Sequence, residues 1–263
     1  MIRKNLKKLI NSFKKRFREI DIYLEAKKIP DYGKFNTNLS IKPLKTPGKI
    51  ETVISYGEEY FENNYGDMNR AKKKDSKVIY DAFEFFLVLD SLIRYLNLDG
   101  KRRKLKILEV GCNNGYTVLM FRQMGLEAYG VDVSEYAFKV ASDSIRPYLF
   151  TGSFDDISFA DNTFDITVSW GTIEHLPESV SSKCLSEAIR VSKKAVWIGC
   201  DNVPQSIEPY HLTNYPIDWW EKKLESLGQK VDPKLREFIR ATPFLHKRNS
   251  YWSSLECMLK KQL

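Results

Sequence analysis

The chain has 263 residues and a formal net charge of +8, from 42 Lys+Arg against 34 Asp+Glu. Arg3, Lys4, Lys7, Lys8, Lys14, Lys15, Arg16 and Arg18 sit in the first 18 residues with no acid among them, which leaves 34 basic against 34 acidic residues for the rest. This placement excludes a chain that is basic throughout, as a histone-like binder would be, and leaves a neutral body with one cationic end. The hydrophobic fraction of 43% excludes wholesale disorder.

Residues 1–28 carry apolar side chains at helical spacing (Ile2, Leu6, Leu9, Ile10, Phe13, Phe17, Ile20, Leu24), with the basic residues around that stripe. Such a helix suits an anionic membrane surface through residues 1–24 or simple packing on the body, with nucleic-acid phosphate behind both. Pro30, Gly33, Pro43, Pro47 and Gly48 make residues 30–50 linker-like. Residues 1–50 are therefore expected to form an extension and residues 51–263 the main domain.

No apolar run reaches membrane-spanning length, and the N-terminus lacks the pattern of a secretory signal. Cys112, Cys184, Cys200 and Cys257 are dispersed and form no C-x-x-C pair, as expected of reduced thiols. The expected location is cytoplasmic, with the basic helix as a peripheral attachment to the inner membrane face.

Tyr56, Tyr60, Phe61 and Tyr65 form an aromatic cluster, and a long helix is predicted from Ser76 to Leu98, stopped by Asp99-Gly100. Strands and helices then alternate. Strands are predicted at 105–110, 128–133, 148–151, 164–170 and 195–200. Helices are predicted at 116–124, 135–143 with Ser134 as cap, 181–191, and 218–227 stopped by Gly228. Alternation at this spacing means crossover units and a parallel sheet. From Lys234 onward the sequence suggests final antiparallel strands, with Trp252 and Leu255 pointing to a packed terminal helix.

The informative stretch is Lys106-Ile-Leu-Glu109-Val-Gly111-Cys-Asn113-Asn-Gly115, a strand running into a glycine turn that opens a helix. Glycine lets a ligand approach the backbone. Asp132 follows Gly111 by 21 residues, at the end of the next strand, where an acid can accept from ribose hydroxyls. The dinucleotide fingerprint fails at Asn113 and Tyr116, and no phosphate-loop lysine follows. An adenosine ligand without a bridging diphosphate remains.

These residues resemble class I S-adenosylmethionine-dependent methyltransferases, whose first motif is acid-x-G-x-G-x-G. Glu109, Gly111 and Gly115 match it, Asn113 replaces the middle glycine, and Asp132 matches the ribose-binding acid. A second stretch, Gly152-Ser-Phe-Asp-Asp-Ile-Ser-Phe159-Ala-Asp161-Asn162-Thr-Phe164-Asp165, is similar to the family's G-D-x-x-x-L-P-F-x-D-N-S-F-D segment, and Trp170-Gly171-Thr-Ile-Glu174-His175 follows. The resemblance covers residues 51–230. It implies an α/β, Rossmann-like doubly wound, mostly parallel seven-stranded sheet with an N-terminal helical extension.

The resemblance also implies S-adenosylmethionine as cofactor, held by Glu109, Gly111, Asn113, Gly115, Asp132, Ser153, Phe154 and Trp170. Ser153 stands where the family has an acid for adenine. Asp165 reads as a residue that orients a strand end. The aromatic cluster at 56–65 suits either a cover for the methionine end or plain packing.

His175 and His211 follow the fourth and fifth strands and are the expected bases; His246 reads as surface. Relatives acting on RNA 3′ ends or quinone precursors carry E-x-x-E-H, but Gly171 occupies the first acid position here, so no metal is expected at Glu174, His175 and His211. The expected acceptor is a small molecule or glycan hydroxyl, ahead of RNA. An idle binding or scaffold protein is the alternative of another class.

Overall fold

A computed structural model describes residues 41–45, 52, 54–65, 76–201, 210–241 and 252–258. The basic segment 1–28 and His246 lie outside them. Among the described residues no helix is long and apolar enough to cross a membrane.

Five parallel strands form the centre: β1 (Lys106–Val110), β2 (Glu127–Asp132), β3 (Leu149–Thr151), β4 (Phe164–Trp170) and β5 (Ser192–Asp201). A sixth strand, β6 (Trp252–Met258), adds antiparallel to β5, giving the order β3-β2-β1-β4-β5-β6. The expected seven-stranded sheet is thus six-stranded among the described residues. The expected terminal helix around Trp252 and Leu255 is instead strand β6, where pairing with β5 overrides the apolar spacing of two isolated residues.

The strands are buried on both faces, as short apolar runs require. Ile107, Ile166 and Val168 face one core, which is closed by α2 (Ser76–Tyr95), α3 (Tyr116–Gln123) and α7 (Pro233–Arg240) through Leu89, Leu92, Phe121, Leu235 and Ile239. Leu108, Val110, Val131 and Phe164 face the other, closed by α5 (Glu178–Val191) and α6 (Ile217–Ser226) through Leu185, Ala188 and Trp220. Helices on both faces of a parallel sheet make a doubly wound fold. A third cluster joins α1 (Glu58–Tyr65) to α4 (Glu135–Val140) through Tyr60, Phe61 and Ala137.

Several ends differ from the sequence reading for local reasons. Helix α2 stops at Tyr95 rather than Leu98, because Asn97 turns left-handed (φ 54°) and Leu98 N–H reaches back to the Ile93 carbonyl at 3.0 Å. Asp99–Lys104 then forms a separate 3-10 turn. Helix α5 begins three residues early, after Pro177, and runs straight into β5. Helix α7 is marked by its own start signal: Asp232 accepts from Lys234 and Leu235 N–H at 3.0 and 3.1 Å, and Pro233 fills the first turn.

Other features agree. Ser134 accepts from Ala137 N–H at 3.0 Å, the expected cap of α4. Asp165 accepts from Lys106 N–H at 3.0 Å, which ties the start of β1 to β4. Residues 41–45, read as linker, lie against the body. Ile41 is buried, Leu44 N–H donates to the Ser158 carbonyl at 2.8 Å, and Lys45 pairs with Asp156 at 2.6 Å.

Candidate cofactor cleft and histidine pair

The carboxyl ends of parallel strands deliver their loops to one edge of the sheet, where a doubly wound fold binds its ligand. Strand order therefore fixes the order of side chains along that edge: Ser153 after β3, Asp132 at the end of β2, Gly111 after β1, and Thr172 to His175 after β4. An open cleft of about 660 Å³ runs along it. Its lining includes Gly111, Asn113, Asp132, Ser153, Phe154, Thr172 and His175.

The glycine turn is built for close backbone approach. Gly111, Asn113 and Gly115 all have positive φ (76°, 51° and 80°), so asparagine supplies the middle left-handed residue. Gly111 and Cys112 N–H both donate to the Val131 carbonyl, at 2.8 and 3.1 Å, which locks the turn against β2. Gly115 caps α3 without a side-chain acceptor of its own, and Glu109 serves the Val118 amide of the first turn instead.

Asp132 organises the centre. Its Oδ2 accepts from Asn113 N–H at 2.8 Å and its Oδ1 from Ser134 N–H at 2.9 Å. Each carboxylate oxygen keeps lone-pair capacity for a ligand hydroxyl. Desolvation in the recess holds its carboxyl above the ordinary value, and the amides of Ser134, Asn113 and Val133 oppose that rise. The Ser134 hydroxyl donates to the Tyr56 carbonyl at 2.7 Å, drawing the segment before α1 over this turn. Tyr56, Tyr60 and Phe61 line the cleft as well as packing on one another.

Glu109 does something other than line the cleft. It is buried, and it meets the Thr117 hydroxyl and Val118 N–H at the start of α3. Its Oε2 is buried without a hydrogen-bond partner. Burial pushes its carboxyl well above the usual range, partly opposed by those two donors. A neutral acid with a raised folded pKa contributes stability that is full below the ordinary carboxyl range and is lost as pH rises through the raised value. Glu109→Gln mimics the neutral form, so its melting temperature should gain on the wild type as pH goes from 5 to 8. A difference constant across that range would contradict a protonated Glu109.

Trp170 is also absent from the lining. It packs between Phe85 and Trp197, with ring centroids at 4.0 and 4.8 Å. Phe154 is buried in the core and contributes one wall of the cleft.

At the far end, His175 Nδ1 lies 3.0 Å from the Tyr210 carbonyl. Leu212 and Thr213 N–H donate to the Glu174 carbonyl at 2.8 and 2.9 Å, fastening the segment after β5 to the turn after β4. This brings the His211 ring to 4.7 Å from the His175 ring, edge to face. One ligating atom each of Glu174, His175 and His211 fall within 4.8 Å of one another, a set able to hold a divalent ion.

Residues 108–199 match the family described as methyltransferase domain. Residues 108–199 thus carry a methyltransferase domain of that family. A protein of Haemophilus influenzae is 30% identical over 102 residues, covering 36% of this chain and 41% of its own length. A ubiquinone biosynthesis O-methyltransferase of Thiobacillus denitrificans is 24% identical over 126 residues, covering 46% of this chain and 53% of its own. The chain thus spans about half the length of the curated relatives it matches. The magnesium protoporphyrin IX methyltransferase (ChlM) of Synechocystis, solved with bound S-adenosylmethionine, shares the fold. Its TM-score is 0.53 at 19% identity, over 77% of this chain and 94% of that one.

The cleft's own geometry suits S-adenosylmethionine, the cofactor that the sequence resemblance implies. The Asp132 carboxylate faces the cleft, and a side chain on Gly111 would leave no room beside Thr172. Thr172 was not singled out in the sequence; its signal is its place just after Gly171, at the carboxyl end of β4.

Proposed function

We propose that the protein is an S-adenosylmethionine-dependent methyltransferase acting on a hydroxyl of a small molecule or glycan, with His175 as the base. The observation carrying this reading is the His175 Nδ1 to Tyr210 carbonyl contact at 3.0 Å. A carbonyl only accepts, so Nδ1 donates to it, and in the neutral ring Nε2 then carries the lone pair. His175 lines the same cleft as Asp132 and Gly111, at the end away from Ser153.

The cofactor supplies an already activated methyl group, so the protein's work is alignment and proton removal. Asp132 and the 111–115 turn fix the nucleoside, His175 Nε2 takes the proton of the attacking hydroxyl, and His211 packs against the His175 ring. General-base help is worth about 10²–10⁴-fold. His175→Ala should therefore lower kcat by about that factor while leaving cofactor affinity within about twofold. A methyl-label transfer screen over glycans, small hydroxyl compounds and RNA tests the acceptor. Label entering RNA alone would replace the hydroxyl small-molecule reading, and no transfer with cofactor bound would favour a binding role.

A second reading rests on the Glu174, His175 and His211 set, whose ligating atoms lie within 4.8 Å. A divalent ion there would hold the acceptor oxygen and occupy His175 as a ligand. Titration of zinc, magnesium and manganese into the protein separates the two readings. Stoichiometric binding lost in His211→Ala, with transfer abolished by chelation and restored by one ion, would make the metal reading the correct one.

A further inference from the structure

The family's adenine-contacting acid is replaced here by Ser153, and the structure shows what stands behind that serine. Its hydroxyl donates to Asp155 Oδ1, two residues on. The other oxygen of Asp155 pairs with Lys183 Nζ on α5 at 3.3 Å. A tight turn holds the arrangement: Asp156 N–H returns to the Ser153 carbonyl at 3.2 Å, and Gly152 N–H donates to the Asp132 carbonyl at 2.9 Å. Ser153 is thus fastened one residue beyond the backbone of the ribose acid's strand, and it lines the cleft beside Phe154, whereas Asp155 is not among the lining residues. Partial burial raises the Asp155 carboxyl, and the Ser153 hydroxyl and Lys183 outweigh that and hold it below the ordinary range.

A hydroxyl whose proton is committed to a carboxylate has only lone pairs left to offer. It can accept from an N–H and cannot donate to a carbonyl. Adenine presents a 6-amino donor, whereas hypoxanthine presents a 6-oxo acceptor at the same place. We propose that Asp155 is a positioning residue that makes Ser153 an obligate acceptor, so that the cleft selects 6-amino over 6-oxo purine nucleosides. This rests on the reading that the cofactor's adenosine lies toward β3 with its ribose on Asp132. What it adds is a two-residue relay, with Asp155 acting through Ser153 in place of a direct acid.

The experiment is calorimetric binding of S-adenosylhomocysteine and of its 6-oxo analogue, S-inosylhomocysteine, to the full chain. The wild type should prefer the adenosine compound by about 30-fold, the size of one mismatched buried hydrogen bond. Asp155→Ala frees the hydroxyl to rotate and should reduce the preference to about threefold or less. Ser153→Ala should do the same, and the double variant should be no worse than either single one, since both act through one hydroxyl. Ser153→Thr, which keeps a hydroxyl, should keep the preference. A purely structural role for Asp155 would lower both affinities together and leave their ratio alone.

If the wild type binds the adenosine compound and Asp155→Ala keeps the full preference, the relay is wrong and the cofactor reading survives. If the wild type binds neither compound at millimolar concentration, both fall. Should Asp155→Ala fail to fold, the ratio in Ser153→Ala against Ser153→Thr decides alone.

Discussion

Asp132→Ala should weaken S-adenosylmethionine binding by about 100- to 1,000-fold. Two ribose hydroxyls on one carboxylate are two charge-assisted hydrogen bonds, worth about 1.5–3 kcal/mol each before any cooperativity. At the lower end of that range their loss sums to about 3–4 kcal/mol, and each 1.4 kcal/mol is a factor of ten. The same carboxylate holds Asn113 N–H at 2.8 Å and Ser134 N–H at 2.9 Å, so alanine also leaves two amides of the turn without their acceptor. The unliganded protein should therefore melt earlier, and the stabilisation given by S-adenosylhomocysteine should nearly vanish.

Asp132→Asn separates these effects. An amide keeps one accepting oxygen and turns the other position into a donor, which satisfies one of the two backbone amides and repels the second. Its affinity should fall between the wild type and alanine. Because desolvation holds the Asp132 carboxyl above its ordinary value, wild-type affinity should decline as pH falls through that raised value, and the Asn variant should lack this decline. Calorimetry from pH 5 to 8 measures both. Unchanged affinity in Asp132→Ala would show that the ribose lies elsewhere.

Asp132 was legible because a strand end, a turn, a helix and the next strand end fall in fixed order along the chain. The same logic marked Gly111 and Gly115, and it gave β4 as 164–170 without error. Trp170 shows where that logic needs one more step. Alternation along β4 puts Trp170 on the face of Ile166 and Val168, and that face packs on α2. The period that identified the strand thus already assigned Trp170 to the core.

Glu109 matched a family motif, but strand burial sends it inward to α3, where it secures the helix behind the glycine turn. His175 and His211 lie 36 residues apart. Their meeting depends on Leu212 and Thr213 N–H reaching the Glu174 carbonyl, a contact no local pattern encodes. Asp155 was within reach of the sequence, since Ser-x-Asp closing a tight turn is a local pattern, but its relevance appears only once Ser153 is seen to line the cleft. Strand β6 was the least legible element, because an edge strand gets its register from the partner it joins.

Gly111→Ala should be severely damaging for a change of one methyl group. A Cβ built there would lie 2.0 Å from Thr172 Oγ1, 2.6 Å from Cγ2 and 2.8 Å from Cβ. Rotating Thr172 about χ1 moves the first two atoms but not its Cβ, so no rotamer change relieves the overlap. The turn has little freedom to retreat either, since Gly111 N–H is bonded to the Val131 carbonyl at 2.8 Å. The left-handed backbone (φ 76°) adds about 1–2 kcal/mol for any residue with a side chain. Together these should cost about 3 kcal/mol or more of stability and remove detectable cofactor binding.

The two causes can be split with Thr172→Gly, which deletes all three offending atoms. In the double variant Gly111→Ala/Thr172→Gly the overlap is gone and only the backbone penalty remains. Its melting temperature should recover more than half of the loss, measured against Thr172→Gly alone. The coupling between the sites should reach about 1.5 kcal/mol or more, large for a pair whose only link is contact. A double variant no better than Gly111→Ala would mean that backbone conformation alone makes this glycine necessary. Gly111→Ala binding cofactor like the wild type would mean that the turn is not the cofactor's seat.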